Sequence, residues 1–225
     1  FMVLYKTTIL YPIGATFNLD NRKQQWKRVL YKFDKLAEIP NIKGPKFIFV
    51  HMLTPHDPYV FDRNGNFLTR WEESKRSIKV NYIDQLIFIN KKMRILIDKI
   101  FERSDTPPII IVQADEGPYP QKFRLKGKNF NWKRASKDEL GIKMRIMNAY
   151  FLPNVDINVL YPSITPVNSF RLIFNLYFNT HFELLPDESY AHVDDTHIYD
   201  FFNVSDKVKY DWKEKEKLDL PGFSK

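Results

Sequence analysis

The sequence predicts an α/β protein with a mainly parallel sheet, and three observations carry that prediction. Two short and wholly apolar runs, Phe47-Ile48-Phe49-Val50 and Ile109-Ile110-Ile111-Val112, have the composition of buried strands. Each run breaks into a polar loop, the first holding His56, Asp57, Pro58 and Tyr59 and the second reading Gln113-Ala114-Asp115-Glu116-Gly117-Pro118. A long helical pattern lies between them. Strand, helix and strand in this order form a βαβ crossover, which makes the two strands parallel neighbours or near neighbours. In open α/β sheets ligands bind at the C-terminal ends of the strands, so the two loops are the first place to look for chemistry.

Taken in order, residues 1–23 carry Thr7, Thr8, Pro12 and Gly14 and read as an irregular entry. Trp26, Val29, Leu30, Phe33, Leu36 and Ala37 recur at helical spacing, which predicts a helix over Gln24–Glu38 ended by Pro40. Asn41 to Pro45 is a turn into the first strand. After the His56 loop, Asp62-Arg63-Asn64-Gly65-Asn66 is rich in turn formers. Ile78, Tyr82, Ile83, Leu86, Ile89, Asn90, Met93, Ile97 and Ile100 then share one face of a helix expected over Trp71–Phe101. Its exit through Asp105-Thr106-Pro107-Pro108 leads into the second strand. The basic, aromatic-interleaved stretch Gln121–Asp138 reads as a mobile loop over the sheet edge, and Met144–Leu152 as another strand. Thr165 is placed to cap a helix with Pro166 at its first position and Phe170, Ile173, Phe174 and Tyr177 on its buried face. Asn179–Tyr199 is irregular and acidic, Tyr199–Val204 an edge strand, and the chain from Ser205 a charged tail. Residues 1–204 are therefore expected to form one domain, followed by the tail 205–225.

Composition narrows the function. The chain has 225 residues, 44% apolar and 16% aromatic, enough to bury a real core. Lys and Arg total 35 against 27 Asp and Glu, a net charge of +8 that suits nucleic acid, anionic lipid headgroups or phosphate- and sulfate-bearing substrates. Because the charges are dispersed and mixed with acids, a lysine-rich solvated surface explains the same excess. The absence of cysteine excludes disulfides, thiolate metal sites and a cysteine nucleophile from this chain. No apolar run approaches the roughly 20 residues needed to cross a bilayer. A chain starting at Phe1 reads as a piece of a longer protein.

Asp115 and Glu116, where an apolar run meets a Gly-Pro turn, offer adjacent carboxylates. With His56 they have the donor types for Mn²⁺, Mg²⁺ or Zn²⁺, although a strand-end Asp caps a turn as often as it binds metal. His56 is the candidate for contact with an anionic substrate, and His51 for an interior histidine. His181, His192 and His197, with Asp187, Glu188, Asp194 and Asp195, suit either a second site or a polar surface loop, the loop being the simpler account. No Gly-rich phosphate loop and no Gly-x-Ser-x-Gly elbow occurs.

The ordered set FVHMLTPHDPYVFDRNG, NYIDQLIFINKKM, IIIVQADEGPYP and MRIMNAYFLP with LYPSITPVNSFRLIFNLYF carries a resemblance. Over about Pro45 to Tyr190 the chain resembles the C-terminal part of sulfatase-like members of the alkaline phosphatase superfamily, the group with arylsulfatases, phosphoethanolamine transferases and lipoteichoic acid synthases. The resemblance implies a three-layer α/β/α sandwich with a mainly parallel sheet, part of it contributed by residues N-terminal to this chain. It places Asp115 at the metal-binding Asp of the family's Asp-His-Gly motif, Glu116 at the metal-binding His, and His56 at the histidine that contacts phosphate or sulfate. By position, Arg124 and Lys122 add positive charge for the substrate. A carboxylate in place of histidine favours Mn²⁺ or Mg²⁺ over Zn²⁺. The nucleophile would lie N-terminal to anything matched here; Thr7, Thr8 and Thr16 have too little chain before them. The implied function is a metal-dependent phosphoryl- or sulfuryl-ester hydrolase or transferase acting on an anionic lipid headgroup or polymer of the cell envelope. The alternative is a catalytically degenerate binding or assembly domain of a membrane protein. Either would sit on the outer face of the cytoplasmic membrane, tethered by segments outside this chain. Nucleic acid, which only the Gln121–Arg134 stretch would serve, is not the expected partner.

Overall fold

A computed structural model describes residues 21–209. Residues 1–20, with Thr7, Thr8 and Thr16, and the greater part of the tail expected from Ser205 lie outside the described residues. The chain divides into two compact units, residues 1–107 and 108–225.

In the first unit, α1 (Asn21–Leu36) follows the helical spacing of the sequence and turns Val29 and Phe33 inward. A 3-10 turn at Ile39–Asn41, with Pro40 in its first turn, ends it. The long helix expected over Trp71–Phe101 is two helices, α2 (Arg70–Ser74) and α3 (Ile78–Arg103). Two caps separate them: Thr69 and Glu72 form a reciprocal capping box, and the Ser77 hydroxyl accepts from Val80 N. Val29, Phe33, Ala37, Val60, Phe61, Phe88, Ile89 and Leu96 form the core. Phe61 stacks on Phe88 with ring centroids 4.7 Å apart.

In the second unit, β1 (Ile110–Gln113) pairs with β2 (Asn148–Phe151), Ile110 opposite Phe151 and Gln113 opposite Asn148. Between them lie α4 (Gln121–Lys126) and α5 (Lys137–Met144), the latter opened by a Ser136–Glu139 capping box. The stretch expected as a mobile loop is thus largely helical turns around a core. Phe130 and Trp132 are buried there with Leu140, Ala191 and Val204, and Tyr119 and Phe123 pack against them. Helix α6 (Pro166–Tyr177) starts where Thr165 and Pro166 indicated. A second pair, β3 (Tyr190–His192) and β4 (Phe201–Asn203), precedes α7 (Ser205–Val208), which packs on α5.

These elements overturn the expected three-layer α/β/α sandwich and its mainly parallel sheet. Among the described residues the sheets are two antiparallel pairs, and the rest is chiefly helix. The βαβ crossover fails at its first strand. Phe47–Val50 joins no ladder, and Phe47 and Phe49 are 78% and 79% exposed. Composition alone made that run a buried strand. Burial also needs neighbouring strands for its backbone groups, and the described residues supply none. The run at Ile109 does become a strand, but its neighbour returns from α5 in the opposite direction.

Candidate functional site

The sequence pointed to two loops, and each can be built from its supports. In the first unit the chain turns at His56, whose N–H donates to Leu53 O at 2.8 Å. His56 Nδ1 lies 2.7 Å from Asp57 Oδ1, and both side chains are about half exposed. The peptide bonds Thr54-Pro55 and Asp57-Pro58 are cis. Beyond the tip, Tyr59, Val60 and Phe61 plunge into the interior at 3%, 0% and 0% exposure and anchor the loop.

That descent leaves backbone groups buried, and polar side chains receive them. Tyr59 N donates to Glu73 Oε1 at 3.2 Å, and Arg22 Nη2 donates to Tyr59 O at 2.7 Å. Arg22 Nη1 pairs with Glu73 Oε2 at 2.7 Å, so α1 and α2 grip the same point. Gln85 Oε1 accepts from Val60 N at 2.8 Å and Phe61 N at 3.2 Å, and its Nε2 donates to Pro55 O and His56 O, both at 3.1 Å. Just past the loop, Asp62 Oδ1 accepts from Asn64 N and Asn66 N, each at 2.8 Å, closing the turn read from Asp62–Asn66. Burial pushes the Asp62 carboxyl up, but these bonds and that of Asn66 Nδ2 outweigh it and hold the group below its ordinary value. Gly65 is required in this turn: its φ is 91°, and a Cβ there would sit 2.2 Å from the Phe88 ring.

Sequence reading missed Gln85. It set Ile78, Tyr82, Ile83, Leu86, Ile89, Asn90, Met93, Ile97 and Ile100 on the inward face of α3, whereas Asn81, Asp84 and Gln85 are buried while Ile78 and Val80 are exposed. The available signal was three polar residues at positions i, i+3 and i+4, which place a polar stripe on one helical face. Asp84 takes Arg63 Nε at 3.0 Å and Arg76 Nη1 at 3.2 Å; Asn81 Nδ2 donates to Glu73 O at 2.9 Å. His51, expected as an interior histidine, is exposed, and its carbonyl accepts from Lys32 Nζ at 2.9 Å.

In the second unit β1 delivers Asp115 and Glu116 to a turn docked on α5. Ala114 N donates to Met147 O at 2.9 Å and Gly117 N to Lys143 O at 2.7 Å. Asp115 Oδ1 accepts from Glu116 N at 2.9 Å, the turn-capping role. Glu116 forms an ion pair with Lys143 Nζ. The Lys143 side chain is only 8% exposed, and its ammonium lies 3.4 Å from the centre of the Tyr119 ring, which stacks on Phe123. Arg124 stands in the last turn of α4, and Lys122 pairs with Glu139 at 3.2 Å. His56 belongs to the first unit and Asp115, Glu116 and Arg124 to the second.

No family model, characterised protein or solved structure matches the chain.

A Mn²⁺ or Mg²⁺ ion at the Asp115–Glu116 turn would draw on two carboxylates that the fold already uses. Here one carboxylate caps its own turn, and the other is neutralised by an ammonium that competes for the same lone pairs. Among the described residues no three His, Asp or Glu side chains gather as a ligand set. The C-terminal cluster is divided between separate structural tasks. His197 Nδ1 is 2.8 Å from Asp194 Oδ1, and His192 Nε2 is 3.8 Å from Asp195. Asp187 is taken into a network at the start of α6, where Tyr161 Oη donates to it at 2.6 Å, Thr165 Oγ1 at 2.6 Å and Asn168 Nδ2 at 3.1 Å. No helix among the described residues is long and apolar enough to cross a membrane.

Proposed function

We propose that this chain is a non-catalytic recognition domain for a phosphate- or sulfate-bearing partner of the cell envelope, with His56 as its anion-contacting residue. The observation that carries the non-catalytic reading is the pairing of Glu116 with the buried ammonium of Lys143. A positive charge already stands where the resemblance would put a metal, and it is part of the fold. Support for anion recognition comes from the His56 loop, which exposes an imidazole at the tip of a backbone tied to three helices. Asp57 engages Nδ1, and in the imidazolium form Nε2–H donates to a ligand oxygen. The net charge of +8 favours approach of an anion. The outer face of the cytoplasmic membrane is the setting in which the resemblance places such a domain.

The test joins two titrations of the full chain. Calorimetry with Mn²⁺ on the wild type and Asp115→Ala is expected to show no binding in either. Inorganic phosphate and sulfate, followed by the His56 ring resonances with His56→Ala as the assignment control, are expected to shift those resonances. Tight Mn²⁺ binding that disappears in Asp115→Ala would overturn the non-catalytic reading and favour a metal-dependent phosphoryl- or sulfuryl-ester hydrolase or transferase.

A further inference from the structure

Gln85 is fully buried, yet none of its amide's hydrogen bonds serves its own helix. A primary amide offers two donor hydrogens and two acceptor lone pairs. All four are used, and all four go to the loop that carries His56. One edge of the amide holds the carbonyls of Pro55 and His56; the other holds the N–H groups of Val60 and Phe61. The two arms of the loop are thus clamped to one side chain, and only Asp57, Pro58 and Tyr59 lie between the clamped points. An apolar residue would fill this position on a core-facing helix without needing hydrogen-bond partners. What Gln85 adds is a fixed loop geometry, including that of the His56 backbone itself.

We infer that Gln85 is the positioning residue for His56, holding the loop in the shape in which Asp57 engages Nδ1 and the Nε2–H of the imidazolium is presented to a ligand oxygen. The inference rests on the reading of His56 as the anion contact. Other groups also hold the loop: Glu73 and Arg22 act at Tyr59, and Leu68 N donates to Val60 O. Gln85 alone among these joins the segment before the tip to the segment after it.

The experiment compares three variants of the full chain with the wild type. Gln85→Met keeps length and apolar volume and removes all four bonds. Gln85→Glu keeps the acceptor for Val60 N and Phe61 N but sets a carboxylate against the carbonyls of Pro55 and His56. Val29→Ala, a core truncation in α1, is the control for lowered stability. The readouts are the ring ¹H and ¹⁵N shifts of His56, recorded where every variant is folded, and the affinity for inorganic phosphate. Both Gln85 variants are expected to move the His56 ring shifts without ligand and to weaken phosphate binding about ten- to a hundredfold, by analogy with the loss on removing a partner that orients a metal-ligating histidine. Val29→Ala is expected to leave both readouts at wild-type values. Unchanged ring shifts in the Gln85 variants would overturn the inference, as would equal changes in Val29→Ala. If Gln85→Met does not fold, Gln85→Glu decides, because it retains two of the four bonds. A wild type whose His56 ring ignores phosphate would remove the anion-contact reading by itself, and the ligand-free ring shifts would still judge the clamp.

Discussion

The amide of Gly117 donates to the carbonyl of Lys143 at 2.7 Å, while the side chain of Lys143 turns back to Glu116 and the face of Tyr119. One lysine therefore holds the turn after β1 twice, once through its backbone and once through its charge. The contact is close enough to exclude any side chain at position 117.

Gly117→Ala would place a Cβ 2.0 Å from the carbonyl oxygen of Ile142, a backbone atom that cannot rotate away. The turn must lift off α5, at a cost of about 1–3 kcal/mol. Urea denaturation of the wild type and the variant measures it. A loss under about 0.5 kcal/mol, the ordinary range for an undemanding surface site, would show that the turn is not docked as described.

Lys143→Met should cost no more than about 1 kcal/mol, because the lysine's desolvation penalty goes with the attraction and the Glu116 carboxylate left behind is 41% exposed to water, not buried as in pairs whose breaking costs about 3–5 kcal/mol. Its thioether can take the ammonium's place on Tyr119. Glu116 is freed in the process. Weak Mn²⁺ binding should appear in this variant and not in the wild type, measured by calorimetry; its absence would mean that Asp115 and Glu116 are not a latent ligand pair.

Asp187 makes the second unit sensitive to acid. Burial pushes its carboxyl up, but hydrogen bonds from Thr165, Tyr161 and Asn168 more than reverse this and hold it below the ordinary 3.8. The folded value lies below the unfolded one, so the stabilisation is present above pH 3.8 and is lost as the pH falls through the folded value. Asp187→Asn should cost about 1–3 kcal/mol at neutral pH and flatten the acid limb of a stability profile measured by denaturant titration. An unchanged acid limb would assign that sensitivity to other groups.

His197 should titrate above its ordinary 6.5, because the bond to Asp194 Oδ1 and the charge of that carboxylate favour the imidazolium. The pair supports the segment between β3 and β4 below pH 6.5 and fades as the pH rises through the folded midpoint. A proton NMR titration of the imidazole gives the midpoint, and Asp194→Asn should return it toward 6.5. The same midpoint in wild type and variant would refute the coupling.

The local layers of this structure were legible in the sequence. Helix α1 was announced by its apolar period, and the start of α6 by Thr165 and Pro166. The strand at Ile110 was found, as was the turn at Asp62–Asn66. What failed was inference that needed a partner. Phe47–Val50 and Ile109–Val112 are both wholly apolar, yet the first is exposed and the second joins a strand pair, because pairing depends on what arrives beside the run. The candidate site divides along the same line. Asp115 in a capping role was one of two open readings. The capture of Glu116 by Lys143 depends on α5 folding back against the turn after β1, and nothing at position 116 signals it. Gln85 left a visible trace, a polar stripe with Asn81 and Asp84, which the apolar reading of α3 passed over.

The exposed run at Phe47–Val50 also bears on how the chain behaves in concentrated solution. Phe47, Ile48, Phe49 and Val50 are all exposed, a short window of high β-propensity without charge or proline. Such a window can stack with copies of itself into a cross-β ribbon. Lys46 and His51 flank it in the position of gatekeepers. Substitution of Lys46 by an apolar residue would therefore show first as loss of soluble protein, with the folded molecules that remain unaltered.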